Sequence, residues 1–252
     1  MARELVSRSS TKEVYRDGHL AIKVFCEGFP KSEVLNEALT TARIEEVGGI
    51  LIPATLAVSV EGDGRWAITK EFIYGKTLQQ LMDENPDRMD EYLDEMSDLQ
   101  ISIHEKRCPL LTKMKDKMAR QISELTELDR ATRYDLQTRL ESTPKRDKLC
   151  HGDFQPENII VADDGSGMYI LDWVHATQGN AGADVARTYQ LLCLRSKEIA
   201  DQYVSIYCRK TGTDRRYIEQ WLPIVASAQL TKHRPEEAEL LRQCLEEIFE
   251  YE

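Results

Sequence analysis

Alternation of apolar and polar residues dominates the first part of the chain and predicts two β-hairpins. Segments 13–15 and 20–25 form the first hairpin and segments 55–60 and 65–72 the second, and each pair is joined by a turn that contains glycine. Between the hairpins, apolar residues recur at helical spacing over residues 32–48. The pattern therefore predicts a small antiparallel sheet with one helix.

The pattern changes from alternation to helical spacing near residues 74 and 75. This change predicts two lobes, a β-rich lobe at 1–74 and a larger, mainly helical lobe at 75–252, and hence an α+β fold. The helices of the second lobe are predicted at 78–82, 92–103, 113–128, 132–141, 183–195, 197–210, 215–230 and 236–249.

One further hairpin interrupts these helices, and polar residues lie at both of its ends. Its strands are predicted at 159–161 and 168–172, preceded by Asp153 and Asn158 and ending on Asp172. Pairing of the strands would bring the three side chains to one end of the hairpin. Mg²⁺ bound with ATP prefers carboxylate, amide and phosphate oxygens, and phosphoryl transfer needs a carboxylate beside the acceptor hydroxyl. The hairpin offers both kinds of group.

Charge and cysteine content narrow the range of partners. The net charge of −11 argues against a nucleic-acid or anionic-membrane surface and is compatible with a cationic ligand. The six cysteines show no paired spacing and are expected to be reduced thiols. No apolar stretch approaches the roughly 20 residues that span a bilayer. We therefore expect a cytoplasmic protein that binds neither nucleic acid nor membrane, and the oligomeric state is left open.

Three motifs together resemble the aminoglycoside phosphotransferase and choline kinase family, which is similar in fold to the protein kinases. They are HGDFQPEN at 151–158, ILDW at 170–173 and GADVA at 182–186. The resemblance implies a two-lobed protein-kinase-like fold, with 1–74 as the nucleotide-binding lobe and 75–252 as the catalytic, acceptor-binding lobe. It implies that Asp153 is the catalytic acid and that Asn158 and Asp172 are ligands of Mg²⁺.

The resemblance also suggests roles for residues around these motifs. Asp184 resembles the acid that braces the catalytic loop, with a helix N-cap as an almost equal alternative. His151 and His104 are expected to be structural. Glu71 and Ile73 resemble the hinge, where backbone N–H and C=O groups bind a purine edge.

In the first lobe, Lys23 is the candidate ligand of the nucleotide phosphates. It lies on the strand face opposite Ile22 and Val24 and could reach the α- and β-phosphates. Its expected partner is an acid of the following helix. Glu37 is preferred to Glu33 because it lies a full turn inside the helix.

Residues 7–12 occupy the place where many nucleotide-binding lobes have a glycine-rich loop, but they contain no glycine. Ser9 and Ser10 could bind phosphate oxygens through amides and hydroxyls, assisted by the cations of Arg8 and Lys12. A solvated hairpin loop is the alternative. The choice between ATP and GTP stays open, because without glycine the backbone approaches phosphate less closely.

We therefore expect an ATP- and Mg²⁺-dependent phosphotransferase that acts on a hydroxyl of a small molecule. The alternatives are a non-catalytic nucleotide-binding regulator and a protein kinase, although the segment after Asp172 leaves little room for an activation loop. Acids of the second lobe suggest a cationic or polar acceptor. They are Glu157, Asp184, Asp201, Asp214, Glu219, Glu236, Glu237 and Glu239.

Overall fold

The structure, a computed structural model, describes residues 3–246 and divides into two compact units. The first unit comprises the chain through Glu84 together with Pro156–Val174, and the second comprises Asn85–Gln155 together with the chain from His175 onward. The sequence-based boundary near residue 74 placed the hairpin of residues 159–172 in the second lobe. The contacts group it, together with residues 75–84, with the first unit instead. Its first strand pairs with residues 75–77, and its second strand is hydrogen-bonded to Leu51.

Strands dominate the first third of the chain and helices most of the remainder. The strands are β1 (Glu4–Arg8), β2 (Lys12–Asp17), β3 (Leu20–Phe25), β4 (Thr55–Val60), β5 (Trp66–Glu71), β6 (Gly75–Thr77), β7 (Lys148–Cys150), β8 (Ile159–Ala162), β9 (Met168–Ile170) and β10 (Thr177–Gly179). The α-helices are α1 (Lys31–Val47), α2 (Leu78–Glu84), α3 (Met89–His104), α4 (Met114–Glu124), α5 (Arg130–Ser142), α6 (Ala181–Cys193), α7 (Lys197–Thr211), α8 (Arg215–Glu219), α9 (Leu222–Leu230) and α10 (Pro235–Glu246).

An antiparallel sheet forms most of the first unit. Its strand order is β1-β2-β3-β5-β4, and it contains both predicted hairpins, β2–β3 and β4–β5. The alternating pattern places Val24 and Ile68 in the core, where Ile68 packs with Phe25 and with Val34 of α1. Strand β1 was not predicted, because all five of its residues are exposed and carry no core-facing alternation.

A second sheet of the first unit has the order β6-β8-β9. It contains the predicted hairpin β8–β9, and the amide of Ile170 donates to the carbonyl of Leu51 at 2.9 Å. Ile159 and Ile170 are fully buried. This pairing fixes the open end of the hairpin, where the predicted metal-binding residues lie.

The second unit is mainly helical and contains one two-stranded sheet, β7–β10. The helix predicted at 215–230 is in fact two helices, α8 and α9, with Pro223 in the first turn of α9, where a missing N–H costs no helical hydrogen bond. The helix predicted at 236–249 is described through Glu246, and its last three residues lie outside the described part. Trp221 and Tyr203 lie in the core.

The α+β prediction is confirmed. No helix in residues 3–246 is long and apolar enough to cross a membrane.

Candidate active site

Lys23 is held by two carboxylates in the first unit. Its Nζ lies 2.5 Å from Glu37 Oε1 and 3.4 Å from Asp172 Oδ1. Of the two acids weighed for this lysine, Glu37 is therefore the one that it contacts. Burial alone would lower the pKa of Lys23, but the charges of Asp172 and Glu37 outweigh it and raise the pKa above its usual value. The ammonium group is fixed in its charged form.

Asp172 and Asn158 lie at the open end of the β8–β9 hairpin. The amide of Leu171 donates to the carbonyl of Asn158 at 2.8 Å, so the hairpin sets the two predicted metal ligands side by side along the backbone. Asp172 has a φ of 57°, a conformation that non-glycine residues adopt only where the surroundings fix it. A carboxylate next to an amide oxygen is the donor chemistry that Mg²⁺ prefers, so these residues fit the predicted ion.

The segment predicted to hold phosphates is a tight turn between β1 and β2. The amide of Ser9 donates to the carbonyl of Lys12 at 2.9 Å, and Ser10 lies exposed at the tip. Arg8 is paired with Glu13 at 2.7 Å. Lys12 instead reaches Asp172, with Nζ 2.9 Å from Oδ2. Two lysines thus contact one carboxylate, and this contact was not predicted.

The predicted hinge follows the last strand of the five-stranded sheet. Glu71 ends β5, and its amide donates to the carbonyl of Ala54 at 3.0 Å. Phe72 donates to the carbonyl of His19 at 2.9 Å. Among residues 3–246, neither the amide nor the carbonyl of Ile73 makes a hydrogen bond. Ile73 therefore offers a backbone donor and acceptor to a ligand.

Asp153 lies in the second unit, in the loop after β7, and is 6% exposed. Its amide donates to Nδ1 of His151 at 3.2 Å, and His151 is fully buried. The Asp153 carboxylate lies 3.7 Å from Arg187 and 3.8 Å from Arg234. Both arginines also bind Glu237, and Arg187 does so with its two terminal nitrogens at 2.6 and 2.9 Å.

Asp184 braces the loop that carries Asp153. It accepts hydrogen bonds from the amides of His151 at 3.1 Å and Gly152 at 2.7 Å, and it contacts Nε2 of His104 at 3.0 Å. Burial would raise the pKa of Asp184, but its hydrogen bond to His104 and the charges of His104 and His151 hold that pKa below the usual value. The brace interpretation is thus favoured over a simple helix N-cap, since Asn180 caps α6.

His104, Cys150 and Asp184 place potential metal ligands within 4.8 Å of one another in this brace. The two ring nitrogens of His104 already contact Asp184 and Tyr207, and burial raises the pKa of the Cys150 thiol. A neutral thiol is a poor metal ligand. We interpret this group as structural.

The arginines beside Asp153 were missed in the sequence. Arg187 follows Asp184 by one helical turn on α6, and this spacing was the available signal. Arg234 precedes α10 and has no local relation to Asp153 along the chain. Only the tertiary structure brings it close.

A known protein family matches most of the chain. The model of this family, which is described as the phosphotransferase enzyme family, matches residues 30–221. A search of curated protein sequences finds no match.

Solved structures similar to this chain share the fold at low sequence identity. A thermostable mutant of aminoglycoside phosphotransferase APH(4)-Ia, in ternary complex with AMP-PNP and hygromycin B, has a TM-score of 0.73 at 14% identity and covers 96% of this chain and 92% of its own. Choline kinase LicA from Streptococcus pneumoniae has a TM-score of 0.67 at 13% identity, covering 98% and 92%. The GDP complex of an aminoglycoside 2'-phosphotransferase-IIIa mutant has a TM-score of 0.63 at 16% identity, covering 98% and 92%. The predicted protein-kinase-like fold is confirmed.

Proposed function

The chain belongs to the phosphotransferase enzyme family, and from that premise we propose that it transfers the γ-phosphate of ATP to a hydroxyl of a small polar molecule. The observation that carries the proposal is the ion pair of Lys23 with Glu37, because this lysine also reaches Asp172 and is fixed as a cation. A positioned cation binds phosphate oxygens in the ground state and stabilises them during transfer. The backbone of Glu71 and Ile73 would contact the purine, and Ser9 and Ser10 the phosphates.

Asn158 and Asp172 would hold Mg²⁺, which supplies positive charge to the phosphate oxygens when it is bound. Lys12 contacts the carboxylate of Asp172, so when the ion binds, Lys12 would either keep this contact beside the ion or be displaced from it. The relatives in complex with AMP-PNP and with GDP differ in their nucleotide. Both ATP and GTP should therefore be tested as phosphate donors.

Asp153 would orient the acceptor hydroxyl and accept its proton as the phosphoryl group is transferred. The brace from Asp184 and the two nearby arginines limit its motion, and such positioning is the main catalytic contribution that a loose phosphoryl-transfer transition state requires.

The test is release of ADP or GDP over a panel of aminoglycosides, macrolides, amino alcohols, sugars, hydroxy acids and nucleosides. Asp153→Asn keeps the shape of the side chain and should lower turnover by roughly 10²–10⁴-fold, while nucleotide binding is retained. Asp201→Asn is the matched control, since Asp201 is an ion-paired acid of α7 in the same unit. Wild-type turnover in Asp153→Asn would refute the assignment, and nucleotide binding without turnover on any acceptor would favour the regulator.

A further inference from the structure

A cluster of cations lies beside Asp153 within the second unit. Besides Arg187 and Arg234, two lysines contribute, Lys117 on α4 and Lys232 after α9, and the ammonium of Lys232 interacts electrostatically with Asp153 and with all three other cations. The two arginines pair with Asp153 and Glu237, and a third acid, Asp184, lines the same cavity as the two lysines. We call this group the Asp153 cation cluster.

Two donors of the cluster lack partners. Within residues 3–246, Nζ of the partly exposed Lys232 makes neither a hydrogen bond nor an ion pair. Nε of Arg187, a residue only 2% exposed, is buried without a hydrogen-bond partner in the described part of the chain. Native structures leave few buried donors unpaired, and each one calls for an explanation such as a bound acceptor.

A cavity of about 30 Å³ lies among these side chains. Its lining includes the cations of Lys117, Arg187 and Lys232, the carboxylate of Asp184, the amide of Gln229, and Gly152, the neighbour of Asp153. Apolar side chains such as Met114, Met118 and Val225 also line it. The volume suits a single small group, since a cavity needs about 10–15 Å³ to hold one water molecule. The cavity could hold one end of a ligand whose remainder lies outside it.

The positive charge of the cluster indicates which chemical group of a ligand would bind in the cavity. Burial, followed by the charge of Arg187, lowers the pKa of Lys232 to about 7, and burial also lowers the pKa of Lys117. Cations that are crowded and partly desolvated destabilise one another, and an anion among them would relieve the repulsion. An oxyanion could accept from the Lys232 ammonium and from the Arg187 Nε–H.

We propose that the Asp153 cation cluster binds an oxyanion of the acceptor, so that the substrate is a hydroxyl compound that carries a carboxylate or a phosphate group. This inference rests on the proposed function, because it assigns the cluster to the acceptor that Asp153 orients. Such an acceptor is polar, which is one of the two possibilities predicted from the sequence, and it differs from the cationic one.

Four of the eight acids that suggested a cationic or polar acceptor are engaged in other ways. Asp201 and Glu219 pair with Arg215, and Asp214 caps α8. Glu237 neutralises two arginines of the cluster. A larger cavity of about 810 Å³ in this unit is lined in part by Arg215, Glu219 and Lys197 and contains none of the residues predicted to be catalytic or to bind metal.

The first experiment measures how fast Lys232 is acylated at pH 7 in the full chain without nucleotide, by peptide mass spectrometry. Gluconate, glucose 6-phosphate, glucose and glucosamine share a carbon skeleton and differ in charge. At about ten times its Kd, an anion bound at the cluster should slow acylation roughly tenfold. Exposed Lys197 is the internal control and should react at an unchanged rate.

Protection by gluconate or by glucose 6-phosphate supports the inference, and the stronger of the two identifies the oxyanion as carboxylate or phosphate. Protection by neither anion, or better protection by glucosamine, would overturn it. Protection that disappears in Lys23→Met would also overturn it, because the anion would then bind at the nucleotide site.

The second experiment measures binding of the better anion by calorimetry. Lys232→Met should lower the affinity at least roughly tenfold, as expected for the loss of a charged hydrogen bond, and Lys197→Met should leave it unchanged. Equal affinities in wild type and Lys232→Met would refute the site. Neither experiment needs turnover, so the two failures can be told apart. Anion binding without phosphotransfer would leave the anion site standing but would refute the proposed function and, with it, the assignment of the anion to an acceptor. Phosphotransfer without anion binding would refute only this inference.

Discussion

Asp172 is contacted by two lysines that differ in how firmly they are held. Lys23 is the less exposed, with 14% of its side chain accessible, and Glu37 binds it from α1. Lys12 is 31% exposed and lies beside the turn that contains Ser9. Because a fixed cation loses less entropy on binding a phosphate than a mobile one, Lys23 should be the main phosphate ligand.

Lys23→Met should therefore weaken binding of ATP by roughly 10- to 100-fold, the loss expected for a charge-assisted hydrogen bond. Lys12→Met is the matched control and should have a clearly smaller effect. Titration of nucleotide followed by calorimetry, with and without Mg²⁺, measures both. A larger loss in Lys12→Met would assign phosphate binding to the glycine-free turn instead.

Lys232 should make anion binding depend on pH. Its pKa of about 7 means that the ammonium form, which binds an anion, is lost as pH rises through neutrality. Affinity for gluconate should be constant at low pH and fall by about tenfold per pH unit above the pKa. The groups that face Lys232 are Arg187 on α6, Arg234 before α10, Lys117 on α4 and Asp153.

Lys232→Arg should flatten this profile, because a guanidinium stays charged over the whole range. Measurement of Kd between pH 6 and 9, in wild type and variant, provides the check. A pH dependence that persists in Lys232→Arg would assign the titration to Lys117, whose pKa burial also lowers, and would contradict the prediction.

At the scale of elements, the loop after β7 depends on one glycine. Gly152 has a φ of 80°, and a methyl group there would lie 2.7 Å from the carbonyl oxygen of His175. Its amide donates to Asp184. The glycine thus permits both the left-handed conformation and the close approach that set the position of Asp153.

Gly152→Ala should lower the free energy of unfolding by about 1–3 kcal/mol more than Gly212→Ala, because only the former adds a steric clash. Gly212 has a similar φ of 70° with open space around it and lies in the same unit. Urea unfolding followed by circular dichroism compares the two variants. Equal losses of unfolding free energy in the two variants would show that the left-handed backbone conformation alone requires glycine at position 152, without a contribution from the steric clash.

Local sequence patterns predicted the elements whose residues interact over short separations. In the hairpins β2–β3, β4–β5 and β8–β9, the two paired strands follow each other along the chain and are joined by one turn. In the Lys23–Glu37 pair, the strand is followed directly by the helix that carries its partner. The Asp153 cation cluster could not be predicted in this way. Lys117, Arg187 and Lys232 are on or next to three different helices, and no spacing in the sequence relates them.

For the whole molecule, the first unit is discontinuous along the chain. Residues 85–155 separate β6 from its partner β8, and Leu51 from Ile170. A sequence pattern reports periodicity within a segment, but not which distant strand completes its sheet. This is why the predicted lobe boundary differs from the observed units.

A chain truncated after residue 174 should therefore complete the first unit, whereas one truncated after residue 155 should not. The amide of Lys76 in β6 should be protected from hydrogen exchange in the longer fragment and exposed in the shorter one, because only the longer one contains β8. Exchange measured by mass spectrometry compares the two fragments. Equal protection would show that β6 is ordered without its partner strand.

The discontinuity also sets an order of events during translation. When β6 leaves the ribosome, the strands that complete its sheet have not been made, and a further 71 residues of the other unit must emerge first. Domains generally fold as units while the chain is synthesised, and unpaired strand edges are prone to aggregation. The nascent chain therefore passes through a stage in which one unit is complete except for two strands and the other is half synthesised, and that stage is where a chaperone would be needed most.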